Sequence, residues 1–142
     1  MAVKKIRLNL AMEEDFCLLG LTSDVPDYKL AWLINRGLHM HFEKEEDLLL
    51  LHKKTGSEQR ISHFSCSDAD AWLTYRILNN RACVGHFLEE MKNLDYLIHI
   101  QGELDETKIR HFLQEINALP EVRFCVPVEL GRIRDRERLF LW

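Results

Sequence analysis

The sequence lacks the short motifs that announce most chemistries. It has no C-x-x-C, no H-E-x-x-H and no G-x-S-x-G, so the common redox, zinc and serine-hydrolase signatures are missing. Its six glycines each stand alone, and neither a P-loop nor a G-x-G-x-x-G phosphate cradle can be assembled from them. The four cysteines, Cys17, Cys66, Cys83 and Cys125, are far apart. Cys17 lies in the apolar run FCLLGL and Cys125 in RFCVPV, so both are expected to be inert core residues in a reducing compartment. No apolar run approaches the ~20 residues needed to cross a bilayer. The opening MAVKKIRLNLAMEEDF is interrupted by Arg7 and Asn9 and turns acidic at Glu13, which does not suit a secretory leader. A cytoplasmic location with no membrane partner is therefore expected. A net charge of −4 argues against nucleic acid as a partner.

What is present suits a folded soluble domain. With 142 residues, 46% of them hydrophobic and 30% charged, the chain can form one real core. No internal repeat or low-complexity linker divides it, so 1–142 is expected to be a single domain.

Periodicity suggests the elements. Lys5–Leu10 alternates as a half-buried strand, and Phe16–Leu21 is continuously apolar, as in a strand covered on both faces. In SDVPDYKLAWLINRGL, Asp24 can cap a helix, Pro26 and Asp27 suit its first turn, and Gly37 marks its end. Leu30, Leu33, Ile34 and Leu38 form its apolar stripe, widened by Ala31 and Trp32. MHF, LLLLH, ISHFS and WLTYRILNN have strand character, separated by polar turns, and suggest two hairpins or one hairpin with an excursion. Leu94–Gln101 predicts a strand ended by Gly102. Asp105 caps a helix striped by Ile109, Phe112, Leu113 and Ile116; Val122–Val128 returns as a strand, and Arg134–Leu141 suggests a last one. The strands flanking the second helix should run parallel, adjacent or with one strand between them. The expected fold is α+β: two helices on one mixed, largely antiparallel sheet, a ferredoxin-like or ACT-like sandwich with extra strands and one wetted face.

The segment Leu88-Glu89-Glu90-Met91-Lys92-Asn93-Leu94-Asp95-Tyr96 resembles the signature of the bacterial IPExxxVDY proteins, with Glu89 where that pattern has proline. DFCLLGL, DYKLAWLIN, IQGELDE, INALPEVRFCVPVE and RDRERLFL are similar to the rest of that family, so the resemblance spans nearly the whole chain. The family is named for a motif, not an activity. The resemblance implies a bacterial protein and little about its activity; an adaptor or regulatory module in central metabolism or RNA processing is the expectation.

Several constellations invite a functional reading. On a strand, Asp95 and His99 are separated by ~13 Å of rise, too far for a hydrogen-bonded dyad. Glu90 and Asp95 are better suited to fixing a turn by accepting backbone N–H groups, with the Tyr96 ring buried and its hydroxyl satisfied. His39 and His41 would share a face of an extended segment, and a third ligand would have to come from His52 or His63; solvated histidines are preferred, and no metal or cofactor is expected. Glu13–Asp15 and Glu43–Asp47 suit solvated turns. Arg132, Arg134, Arg136 and Arg138 alternate, so in a strand all four point one way. That stripe is either a partner or anion surface or a charged edge strand protected from association. Leu139–Trp142 is either tucked into the core or a docking tail.

Three functions stay open. A non-catalytic adaptor that homodimerises through sheet edges or helices, with an as yet unidentified protein partner, leads. An ACT-like domain holding an anionic metabolite comes second. An enzyme drawing on Tyr28, Glu90, Asp95, Tyr96 and a histidine comes third, and requires these side chains to share one cleft. Candidate interaction residues are thus Asp27, Tyr28, Glu90, Asp95, Tyr96 and the four C-terminal arginines.

Overall fold

All eight residues of strand β1 (Phe16–Ser23) are buried, as its unbroken apolar composition predicts. The computed structural model describes residues 16–142; the expected strand Lys5–Leu10 lies outside them. After β1 come helix α1 (Asp27–Leu38), β2 (Glu43–Lys44), β3 (Leu48–Leu51), β4 (Glu58–Ile61), β5 (His63–Asp68), β6 (Leu73–Asn79), β7 (Tyr96–Gly102), α2 (Glu106–Asn117) and β8 (Val122–Pro127). Among the described residues the fold is α+β, with two helices and a six-stranded sheet in the order β2–β5–β6–β7–β1–β8. Every neighbouring pair in that sheet is antiparallel. β7 and β8 are consequently parallel to each other with β1 between them, as the strand–helix–strand reading requires. The middle resolves into two hairpins, β3–β4 in a small separate sheet and β5–β6 in the main one.

Alternation along β1 and β7 divides the core. Cys17, Leu19 and Leu21, with Tyr96, Ile98 and Ile100, face Leu30, Ala31 and Ile34 of α1 and Ile109, Phe112 and Ile116 of α2. Phe16, Leu18 and Leu97 face the other way, against Ile61, Phe87, Leu88, Leu139 and their neighbours. The second face is therefore covered, not wetted, by the β3–β4 hairpin, the β6–β7 loop and the C-terminal segment. Each large apolar side chain buried this way contributes about 1.5–3 kcal/mol.

Several boundaries differ from expectation. Pro26, not Asp24, holds the N-cap position of α1, and Asp24 instead pairs with Arg123. Gly37 lies inside the helix; the left-handed residue that ends it is His39, at φ 56°. Trp32 is 53% exposed, so the buried stripe of α1 does not reach it. Leu94 joins the second-face core although its parity matches Tyr96, because it precedes the strand and the alternation has not begun. Asp105 caps α2 as predicted, accepting the Thr107 N–H at 2.9 Å. Gly102 ends β7 as predicted: its φ is +125°, and any Cβ there would collide with the Trp72 carbonyl.

Candidate functional site

The signature segment lies in the β6–β7 loop, and one side chain shapes that loop. Asn80 is fully buried. Its Nδ2 donates to the carbonyls of Met91 (2.8 Å) and Leu94 (2.9 Å), and its Oδ1 accepts the Leu88 N–H (2.9 Å). Its backbone adds bonds from the Phe87 N–H and to the Asp95 carbonyl. With Leu88 and Leu94 packed beneath, the 3-10 turn Glu89–Met91 is held outward. Sequence reading missed Asn80; an asparagine closing a strand looks like turn punctuation, and only its burial reveals the hub.

That turn forms one wall of a cleft of about 380 Å³. The second wall is the β3–β4 turn with His52 and Lys54, and the third is the C-terminal segment with Arg134 and Arg138. Glu89 Oε2 accepts the His86 N–H at 2.6 Å and lies 3.4 Å from His52 Nε2. Burial works to raise the Glu89 pKa, but the His86 N–H and the nearby His86, His52 and Lys92 outweigh it and hold the carboxyl below its ordinary value. Gly85 makes this approach feasible: its φ is +66°, and a Cβ would strike both Glu89 and His52. Glu90 Oε2 accepts the Arg134 N–H at 2.9 Å, while its Oε1 is buried without a hydrogen-bond partner among the described residues.

The four C-terminal arginines do not form a stripe. The segment expected as a strand makes 3-10 turns at Leu130–Arg132 and Arg136–Phe140, and these scatter the side chains. Arg132 is exposed beside Glu129, and Arg136 is half-buried on the second turn. Arg134 is exposed at the cleft. Arg138 is buried: Nη1 donates to the Phe87 carbonyl (3.0 Å), Nη2 to the Leu51 carbonyl (2.8 Å), and Nε lies 2.8 Å from Asp135 Oδ2. It fastens three segments distant in sequence. Asp135 and Glu137 also hold Lys53, at 3.1 and 2.9 Å, and that hydrogen bond helps bring the Glu137 pKa down to about 2. Leu139 and Trp142 are tucked in: Trp142 packs 4.8 Å from the buried His99 ring and beneath the Arg76 guanidinium at 4.6 Å.

The rest of the signature works on the other side of the sheet. Asp95 Oδ2 accepts the Ser23 N–H at 2.9 Å, and its Oδ1 is 2.8 Å from Arg81 Nη2, so it joins the start of β7 to the end of β1. Tyr96 places its ring in the helix-side core and donates its hydroxyl to the Val25 carbonyl at 2.5 Å. Burial, with Asp27 and Asp95 nearby, pushes its pKa up. Asp27 accepts from the Ser62 hydroxyl, and Tyr28 is 68% exposed on α1. Tyr28, Glu90, Asp95 and Tyr96 therefore do not share a cleft. His39 and His41 are exposed and not on a strand, and no group of metal-ligating side chains occurs among the described residues. Cys17 and Cys125 are buried, and burial pushes both thiols up to about 12.

A helix asparagine caps the β8 edge of the main sheet, and another clasps the residue beside β2. Asn117 of α2 donates Nδ2 to the Cys125 carbonyl at 2.9 Å and accepts the Cys125 N–H at 2.8 Å, occupying in β8 the backbone groups a docking strand would use. Pro127 of the same strand has no N–H to offer. Asn35 of α1 clasps Phe42, next to edge strand β2, in the same two-way manner at 3.1 and 2.7 Å. Replacing Asn117 with alanine is expected to open the β8 edge and raise aggregation on mild heating, measurable by light scattering; an unchanged aggregation onset would show that the cap is dispensable.

The chain matches no protein-family model and no curated protein sequence.

Proposed function

We propose that this chain is a non-catalytic binding module that self-associates, built on a ferredoxin-like core of the ACT kind. The strand order β8–β1–β7–β6 supports that core, with α1 between β1 and β6 and α2 between β7 and β8. On this reading β2, β5 and the β3–β4 hairpin are additions. The resemblance to the bacterial IPExxxVDY proteins and a cytoplasmic setting belong to the same proposal, as does an adaptor role toward a further protein.

The observation that carries self-association is the outer face of α1. Tyr28, Trp32 and Arg36 follow one another at i, i+4 and i+8, with Tyr28 68% and Trp32 53% exposed and the Arg36 guanidinium 5.3 Å from the Trp32 ring. Tyrosine, tryptophan and arginine are the residue types that dominate interface energetics. The row is self-complementary: a two-fold axis through Trp32 sets Tyr28 of one copy against Arg36 of the other, a cation–π pairing. With the β8 edge capped by Asn117 and β2 only two residues long, association through this helix face is favoured over strand addition. Sedimentation velocity should find a dimer for the wild type and a monomer for Trp32→Glu, with circular dichroism unchanged because Trp32 is outside the core. A wild type that sediments as a monomer, or a Trp32→Glu variant that stays dimeric, refutes the proposal.

A further inference from the structure

We infer that the cleft between the β3–β4 turn, the Glu89–Met91 turn and the C-terminal segment binds a small phosphomonoester dianion. Each carboxylate of the cleft wall has a partner: Glu89 the His86 N–H and His52, Glu90 the Arg134 N–H at Oε2 with Oε1 left unpartnered among the described residues, and Asp135 both Lys53 and Arg138. Its cations are not all used. Lys54 and Arg134 have no side-chain hydrogen bond or ion pair among the described residues, and Lys92 stands 4.0 Å from Glu89. Three cations thus border a concavity of about 380 Å³, a volume suited to a small metabolite.

The backbone beneath each of these cations is fixed by the cleft itself. His52 Nδ1 accepts the Lys54 and Thr55 N–H groups, each at 3.3 Å, which orders the turn carrying Lys54. Since Nδ1 accepts, the ring proton resides on Nε2, facing Glu89. Lys92 follows directly on the 3-10 turn secured by Asn80. Arg134 is anchored through its own N–H to Glu90. Anchored backbones converging on one concavity reduce the ordering penalty of binding. A phosphomonoester offers three oxygens and close to two charges to the planar Arg134 fork and the two ammonium groups.

Isothermal titration with inorganic phosphate, glycerol 3-phosphate and succinate, at ionic strength held constant with sodium chloride, tests this. Glycerol 3-phosphate should bind saturably, with inorganic phosphate weaker and succinate weaker still. The Lys54→Gln/Lys92→Gln/Arg134→Gln triple variant should lose affinity by roughly tenfold or more. All three residues are exposed, so the variant should keep the wild-type melting temperature. No saturable binding of either phosphate, equal affinity in the triple variant, or tighter binding of succinate would each overturn the inference. None of these residues lies on the α1 face, so this result and the dimer experiment are independent.

Discussion

Replacing Arg138 with methionine is expected to lower the melting temperature by roughly 10 °C, the equivalent of about 3–5 kcal/mol. The guanidinium is buried and makes contacts at three corners: the Phe87 carbonyl, the Leu51 carbonyl and the Asp135 carboxylate. Methionine fills much of the volume but leaves two carbonyls without their donors and removes one of the two cationic partners of a carboxylate that is itself largely covered. The loss is greater than that of one surface ion pair because the β3 end, the β6–β7 loop and the C-terminal turn are all held by this one side chain. Arg138→Lys distinguishes charge from geometry. A lysine retains the charge but cannot span three acceptors, so it should recover less than half of the loss. Thermal and urea denaturation of the two variants provide the measurement, and a shift below about 2 °C for Arg138→Met would mean that water replaces the clamp.

The second large effect is expected at Asn80. Asn80→Ala strands the Leu88 N–H and the Leu94 carbonyl, at about 1–3 kcal/mol for each group left buried and unpaired, while the Met91 carbonyl keeps the Leu94 N–H. A total near 4 kcal/mol is anticipated, as some water enters the vacated space. Asn80→Asp is the sharper probe because it preserves the shape. It keeps the acceptor for Leu88 but turns two donors into an oxygen facing two carbonyls, so it should be at least as destabilising as alanine. Hydrogen exchange should show lost protection at the Leu88 amide in Asn80→Ala. If Asn80→Asp proves close to wild type in stability, the carboxamide is not the organiser of this loop.

The two residues share a consequence for the cleft. Asn80 positions the turn bearing Glu89, Glu90 and Lys92, and Arg138 ties the C-terminal segment and the β3 end to the adjacent Phe87. Their loss should therefore weaken phosphate binding at temperatures where the variants are still folded, through misplacement of Lys92 and Arg134.

Much of the scaffold was legible because it depends on local periodicity. Ile109, Phe112, Leu113 and Ile116 form the buried face of α2 in the predicted spacing, and the continuous apolar run of β1 matched a strand covered twice. The C-terminal segment misled for the same reason. An alternation of arginines looks like a strand, but no strand position was open to it; the segment was drawn onto the second sheet face by Leu130, Ile133 and Leu139 and turned into 3-10 geometry. The signature segment was legible in part. That Asp95 and His99 could not form a dyad followed from strand rise, and Asp95 does accept a backbone N–H. That Glu90 meets the backbone of Arg134, 44 residues away, had no trace in local spacing.

By itself the sequence determined the α+β class, both helices with their apolar faces, the central strands and the burial of Cys17 and Cys125, since each depends on side-chain period or capping within about ten residues. Tertiary structure decided everything that depends on which distant segments meet: the covering of the second sheet face, the capped β8 edge at Asn117, the three-way clasp of Arg138 and the cleft itself. Hydrogen bonds between segments far apart in the chain are selected by packing, and buried polar groups must find whichever partner that packing brings.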